Sequence, residues 1–310
     1  MTAPTGGTAL PQPIWVIMPF RNSPEMTLTA VEDALAQTVP TRVLLVDQGA
    51  SQADRAVIDQ WIDQRADHRV LCWHFLPMLP ALSAVWNRAL RFVWELGGEV
   101  ALVVNNDVKL ARGTIACLQQ VMRQEQALFV SCVGVREASW PTDPPQDDPH
   151  QWASAFHDGP MYTKGGPDYS CFLIAHAGHW TYPFDEGFIP AFREDLDSHR
   201  RYMLGGDGAK IFSVNVPFLH YASGTLKAYS PEERAKFNRA NVANREYYRG
   251  KWGGDVNEET YCVPFDRLSA RETGVTTPDL QRRVQAGEDV RDVGPDHAEA
   301  AGEEIDHAEV

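Results

Sequence analysis

Between Ile14 and Gly134 the chain alternates short apolar runs with longer amphipathic segments. The runs read as strands at Ile14–Pro19, Arg42–Asp47, Arg69–Phe75, Val100–Asn105 and Leu128–Gly134. The segments between them read as helices at Glu25–Gln37, Gln52–Arg65, Ala81–Leu96 and Thr114–Glu125. Strands alternating with helices predict an α/β fold, in which a mostly parallel sheet carries crossover helices on its faces. No internal repeat is evident.

The pattern breaks at Trp140–His150, where WPTDPPQDDPH is too rich in proline and aspartate for regular structure. A linker over 135–168 therefore joins two halves. Order returns with an apolar segment at Tyr169–Ala175, an aromatic-rich loop, a charged helix at Glu194–Leu204 and a strand pair around Ile211–Tyr221. A final helix is expected at Pro231–Arg249, because Ser230-Pro231-Glu232-Glu233 is a helix-start signal. The expected division is an arm at 1–13, an α/β half at 14–134, the linker, a second half at 169–264, and an extension at 265–310. That extension carries a weak helix at Asp279–Gln285 and an acidic tail expected to be disordered.

With 310 residues, 44% of them hydrophobic, the chain can bury a full core. The formal charge of -14 argues against a broad nucleic-acid footprint. Five scattered cysteines form no CxxC or zinc-finger spacing and read as reduced, mostly buried side chains. The first thirteen residues lack a signal-peptide pattern and no window is long enough to span a bilayer, so a cytoplasmic protein is expected.

In an open parallel sheet, ligands bind beyond the carboxyl ends of the strands. Three strands end there in polar residues: Pro19-Phe20-Arg21-Asn22, Asp47-Gln48-Gly49 and Asn105-Asn106-Asp107. The first strand is followed by neither GxGxxG nor a P-loop, which counts against a dinucleotide or NTPase site. Asp107 is a candidate carboxylate for a hard divalent ion such as Mn2+ or Mg2+. Taken alone, such strand-end Asn/Asp clusters also make simple turns. Arg193-Glu194-Asp195-Leu196-Asp197 offers Asp195 as a general base, against the plainer reading of acids decorating a helix N-terminus.

The ordered blocks VIMPFRN, LLVDQGAS, PALSAVWNRAL and LVVNNDVKLARG resemble the N-terminal blocks of glycosyltransferase family 2. FDEGFIPAFREDLDSHRRYMLGGDGAKIFSVNVPFLHYASGT and NREYYRGKWG resemble that family's acceptor-side segments, and the rhamnosyltransferase-like branch is most similar. The resemblance implies the GT-A fold, with a C-terminal acceptor-side subdomain. It implies an inverting transfer of a hexosyl or deoxyhexosyl group from a nucleoside diphosphate sugar, UDP- or dTDP-linked, to a hydroxyl acceptor, with a glycan favoured. By the same resemblance Asp47 pairs with the base, while Pro19, Phe20, Asn22, Asn87 and Asn106 line the donor nucleotide. His220 joins Asp107 at the metal, Asp195 is the base and Glu194 positions the acceptor. Trp180 and Phe188 are candidate acceptor contacts, against a plain core reading of the aromatics. Lys251-Trp252-Gly253-Gly254 is a candidate flap. Two departures stand out: Asn105 replaces the acid that opens the family's DxD motif, and Trp86-Asn87-Arg88 replaces its Arg-Asn order. They leave the donor open.

Three other functions compete. A nucleotidyltransferase would want a basic loop after the first strand, where only Arg21 stands. A catalytically silent sugar-binding protein would suit Asn105, against which Asp107, Asp195 and His220 argue. A transferase acting on hydroxymethylated bases in DNA is disfavoured by charge.

Overall fold

The computed structural model describes residues 12–75, 77–135, 137, 140, 162–221 and 229–265. Most of the linker, the segment 222–228 with Ser223-Gly224-Thr225, the helix expected at Asp279–Gln285 and the acidic tail lie outside them. The chain divides into two compact units, Met1–Arg245 and Glu246–Val310.

The first unit opens with β1 (Ile14–Phe20), α1 (Pro24–Leu35), β2 (Thr41–Asp47), α2 (Gln52–Arg65), β3 (Val70–His74), α3 (Leu82–Glu95) and β4 (Val100–Val104). It continues through β5 (Val108–Lys109), α4 (Thr114–Gln124), β6 (Phe129–Val135), β7 (Tyr162–Lys164), β8 (Cys171–Ala175), α5 (His176–Thr181), α6 (Glu194–Leu204) and β9 (Ile211–His220). The long helix α7 (Pro231–Trp252) follows. The expected elements of the first half are all present, with ends displaced by one or two residues. The α2 and α6 bounds coincide with those expected.

Among the described residues the sheet runs β3-β2-β1-β4-β8-β6-β9-β5, with β7 also paired to β9. Strands β3, β2, β1 and β4 are mutually parallel, β8 is antiparallel to β4 and β6, and β9 is parallel to β6. Alternate residues of each strand point to opposite faces, so two cores form. Val16, Met18, Val43, Leu45, Leu102 and Val104 pack with Ala30, Val31, Ile115 and Leu118 on one face. Trp15, Ile17, Leu44, Val46, Ala101 and Val103 pack with Val85, Trp86, Ala89 and Leu90 on the other. Helices on both faces explain why these strands read as continuous apolar runs.

The strand pair expected around Ile211–Tyr221 is instead one ten-residue strand. Both edges of β9 are covered: β6 lies along one, and β7 and β5 take successive parts of the other. A register jump, from Ser131 opposite Ser213 to Val133 opposite Pro217, absorbs the irregularity without a turn. Helix α7 begins at the expected cap. Ser230 Oγ accepts from Glu233 N at 3.2 Å and Glu233 Oε2 accepts from Ser230 N at 2.9 Å, a reciprocal capping box. In the second unit, Lys251 and Trp252 of the expected flap are buried at the end of this helix.

Candidate functional site

The chain proceeds outward from β1 to β2 and β3, then returns to the other side of β1 with β4. The strand order therefore reverses between β1 and β4, and the crevice beyond their carboxyl ends is where such sheets bind ligands. Two loops meet there. Asn106 Nδ2 donates to Asn22 O at 3.2 Å and to Thr27 Oγ1 at 2.9 Å, tying the β4 loop to the β1 loop and the first turn of α1. Phe20 is buried among the core residues, and its backbone oxygen accepts from Gln48 N at 2.7 Å, linking β1 to the β2 loop beside it. Pro19 is buried in the same strand.

Asp47 ends β2 almost fully buried. Its Oδ1 accepts from Gly49 N at 2.9 Å and Ala50 N at 2.7 Å, and its Oδ2 accepts from Arg55 Nε at 2.6 Å. His74 Nδ1 lies 2.9 Å from the same Oδ2. Burial alone would raise this carboxyl, but the His74, backbone and Arg55 contacts outweigh it and hold the pKa below the ordinary value. The carboxylate thus shapes its own loop, in which Gly49 takes a φ of 92° that side chains rarely adopt.

Asp107 follows β4 and is buried. The next residue, Val108, pairs with His220 across the antiparallel β5–β9 ladder. Tyr221 N also donates to Asp107 O at 3.0 Å. This pairing sets His220 Nε2 3.4 Å from Asp107 Oδ1. Burial lowers the imidazole pKa, while Asp107 and then Asp168 raise it by a larger amount, so the net shift is upward. The donor set fits a divalent ion: a carboxylate oxygen and an imidazole nitrogen lie side by side in a negative environment.

Asp168 was not singled out from the sequence. It precedes β8, accepts from Ser170 N at 2.8 Å and donates its own N–H to Ser131 Oγ at 3.0 Å. Its charge acts on both His220 and Asp195. It lies against β6 at Gly134, where a Cβ would come within 2.8 Å of Asp168 Oδ2. The signal available in the sequence was the Gly165-Gly166-Pro167-Asp168 turn entering an apolar strand.

Asp195 stands in the first turn of α6, where Leu196 N donates to its Oδ1 at 2.8 Å. Burial raises its pKa, Asp168 adds to the rise, and backbone donors and Arg193 oppose it. Glu194 is buried, and its Oε2 has no hydrogen-bond partner among the described residues. Burial, aided by the Asp195 charge, pushes it well above the carboxylate range. The chain enters this helix through Phe192 and Arg193 at φ 81° and 75°, a left-handed pair that costs energy unless its surroundings hold it. Asn244 of α7 supplies that hold. Its Nδ2 donates to Ala191 O at 2.8 Å and its Oδ1 accepts from Ile189 N at 3.1 Å. Pattern reasoning passes over such a residue, because a buried Asn inside a helix has no local signature.

Three expected contacts take different places. Asn87 donates from Nδ2 to Phe184 O and Glu186 Oε1, both at 2.8 Å, and its Oδ1 accepts from Phe184 N at 3.0 Å. With His179 Nε2 also 3.0 Å from Oδ1, the amide is fully engaged in holding the Phe184–Glu186 loop rather than facing a nucleotide. Phe188 is 0% exposed, so its ring is core and offers no face to a sugar. Trp180 is 77% exposed but sits on α5. That helix follows Ala175, which pairs with Val100 at the start of β4, whereas Cys171 pairs with Val104 at the end that leads to Asp107. Trp180 therefore lies at the opposite end of the sheet from Asp107.

Of the five cysteines, Cys117, Cys132 and Cys171 are buried, Cys72 is half-buried and Cys262 is exposed, all free. No helix among the described residues is long and apolar enough to cross a membrane.

No family model matches the chain. The O-antigen biosynthesis protein RfbC of Myxococcus xanthus is 30% identical over 124 residues, a match covering 39% of this chain and 9% of that protein. Among solved structures, the mannosyltransferase PcManGT of Pyrobaculum calidifontis, in complex with GDP-Man and Mn2+, is similar with a TM-score of 0.53. It is 12% identical, with 88% of this chain and 68% of that chain covered. TarS 1-349 of S. aureus, in complex with UDP, gives a TM-score of 0.50 at 12% identity, with 77% of this chain and 72% of that chain covered. At these identities the likeness establishes the fold, which is that of the GT-A glycosyltransferases.

Proposed function

We propose that the chain is a GT-A glycosyltransferase of the family 2 type, which moves a sugar with inversion from a UDP- or dTDP-linked donor to a hydroxyl on a glycan. The observation that carries this reading is the pairing of β5 with β9, which sets His220 beside Asp107 at the sheet edge where the strand order reverses. Asp107 and His220 would hold Mn2+ or Mg2+, which when bound neutralises negative charge on the departing diphosphate.

The protein's own groups do the rest. Asp47 and the β1 loop shape the base and ribose side, with Asn22 and Asn106 fixing one loop against the other. Asp195 takes the proton from the acceptor hydroxyl as its oxygen attacks the anomeric carbon from the face opposite the leaving group. Burial raises its pKa, which makes its carboxylate a better proton acceptor than that of an exposed aspartate. Glu194, held protonated by burial, positions the loop and acceptor rather than sharing the base role. Similarity to a protein named for O-antigen biosynthesis supports a glycan acceptor.

The test is release of nucleoside diphosphate from a panel of nucleotide sugars, with glycan acceptors and added Mn2+ or Mg2+. Turnover lost on chelation and in Asp195→Ala supports the reading. Metal-independent turnover would overturn the ion's role, and tight donor binding without turnover would favour a silent binding protein.

A further inference from the structure

On the outer edge of the sheet, away from Asp107, a second set of donors gathers at the half-exposed surface between β3 and α2. Cys72 and His74 are both on β3, two residues apart and so on one face of the strand, and Asp59 reaches them from α2. One ligand atom from each lies within 4.8 Å of the others. His74 Nε2 is 3.6 Å from Cys72 Sγ and 3.4 Å from Asp59 Oδ1. In a tetrahedral site with Zn–N and Zn–O near 2.0 Å and Zn–S near 2.3 Å, adjacent ligand atoms stand roughly 3.3–3.6 Å apart. Both His74 separations match that spacing.

The other face of the imidazole is also arranged for a metal. His74 Nδ1 is 2.9 Å from Asp47 Oδ2. A carboxylate accepting the Nδ1 proton fixes the tautomer that leaves Nε2 as a lone-pair donor, the arrangement that backs most metal-bound histidines. Nε2 then points its lone pair towards an Asp59 oxygen and a sulfur, three electron-rich atoms that a cation would join. Asp47, the carboxylate behind the histidine, also accepts from Gly49 N and Ala50 N. Whatever fixes His74 therefore fixes the loop after β2.

We propose that Cys72 Sγ, His74 Nε2 and Asp59 Oδ1 form a site for zinc or a similarly soft divalent cation, completed by water, which braces the β2 loop through His74 and Asp47. A thiolate, an imidazole and one carboxylate favour such an ion over Mg2+. The site is separate from Asp107 and stands whether or not the chain transfers sugar. The thiol proton leaves to solvent when the cation binds.

The experiment titrates Co2+ into the full chain, chelator-treated, reduced and free of any histidine tag, and then displaces it with Zn2+. One equivalent of Co2+ should give intense tetrahedral visible bands and a thiolate-to-cobalt charge-transfer band, all lost on adding one equivalent of Zn2+. Cys72→Ser should abolish the charge-transfer band, whereas Cys262→Ser and Asp107→Asn should keep it. Hydrogen exchange at Gly49 and Ala50 should slow at least tenfold with Zn2+ in the native chain and not in Cys72→Ser. Absence of the charge-transfer band would overturn the site. A band that survives Cys72→Ser would assign the thiolate elsewhere, and unchanged exchange would overturn the bracing role.

Discussion

His220 Nε2 lies 3.4 Å from Asp107 Oδ1, although the two residues are on separate halves of the sequence. The two-residue strand β5 makes the connection, since Val108 pairs directly with His220. If this pair holds the catalytic ion, then His220→Ala should weaken Mn2+ binding by at least roughly tenfold, the low end of the loss seen when even an outer-shell partner is removed, and Asp107→Asn by at least as much. Asn105→Asp, which supplies a second acid at the start of the motif, should tighten it. Mn2+ titration followed by water-proton relaxation reads all three. Equal affinity in His220→Ala would remove the histidine from the ion.

Asp195→Asn keeps the shape of the side chain and removes the proton acceptor. Turnover should fall about 10²–10⁴-fold with little change in donor KM, the range typical of general-base catalysis. In the native chain turnover should rise with pH through a value above the ordinary aspartate pKa of about 3.9, because burial raises the group. A profile flat from pH 4 to 8 in the native enzyme would exclude Asp195 as the base.

Glu194 predicts a pH effect on stability. Its folded pKa is raised by burial above its unfolded value of about 4.3. Between those two values the native state binds more protons than the unfolded chain, so stability is greatest below the unfolded pKa and is lost as pH rises to the folded one. Glu194→Gln removes that loss. Its melting temperature relative to the native chain should climb as pH increases from 4 to 8, and thermal scans across that range would show a constant difference if Glu194 were ionised normally.

Asn244 and Trp180 separate positioning from exposure. Asn244→Ala leaves the Ile189 N–H and the Ala191 carbonyl without their partner, at a cost of about 1–3 kcal/mol in stability for each group left buried and unpaired. It should also lower kcat, because the left-handed turn that delivers Asp195 loses its support. Trp180→Ala should change neither kcat nor acceptor KM, since that ring is at the other end of the sheet. Steady-state kinetics and thermal melts on the two variants test both statements, and loss of acceptor binding in Trp180→Ala would contradict the placement.

The first-half elements were legible because strands buried on both faces leave continuous apolar runs, as in VLLVD of β2, and amphipathic helices fill the gaps. The sheet edge could then be found by following each run to its polar end. What escaped depends on tertiary contact. β5 is two residues long, too short for any periodicity, yet it aligns His220 with Asp107. Asn87 has the composition of a ligand contact, but its amide is engaged by the Phe184–Glu186 loop, nearly a hundred positions along the chain. Trp180 and Phe188 read as candidate acceptor contacts, whereas the antiparallel direction of β8 sends one ring to the far end and packing buries the other.

A sugar transfer served by Asp195 and the Asp107–His220 pair has one decisive readout. Donor-dependent release of nucleoside diphosphate by the native chain, with Mn2+ and a glycan acceptor, measures it most directly. Turnover should be removed by chelation, abolished by Asp195→Ala, and restored in the chelated native chain when Mn2+ or Mg2+ is added back. Turnover indifferent to chelation and to Asp195→Ala would contradict it.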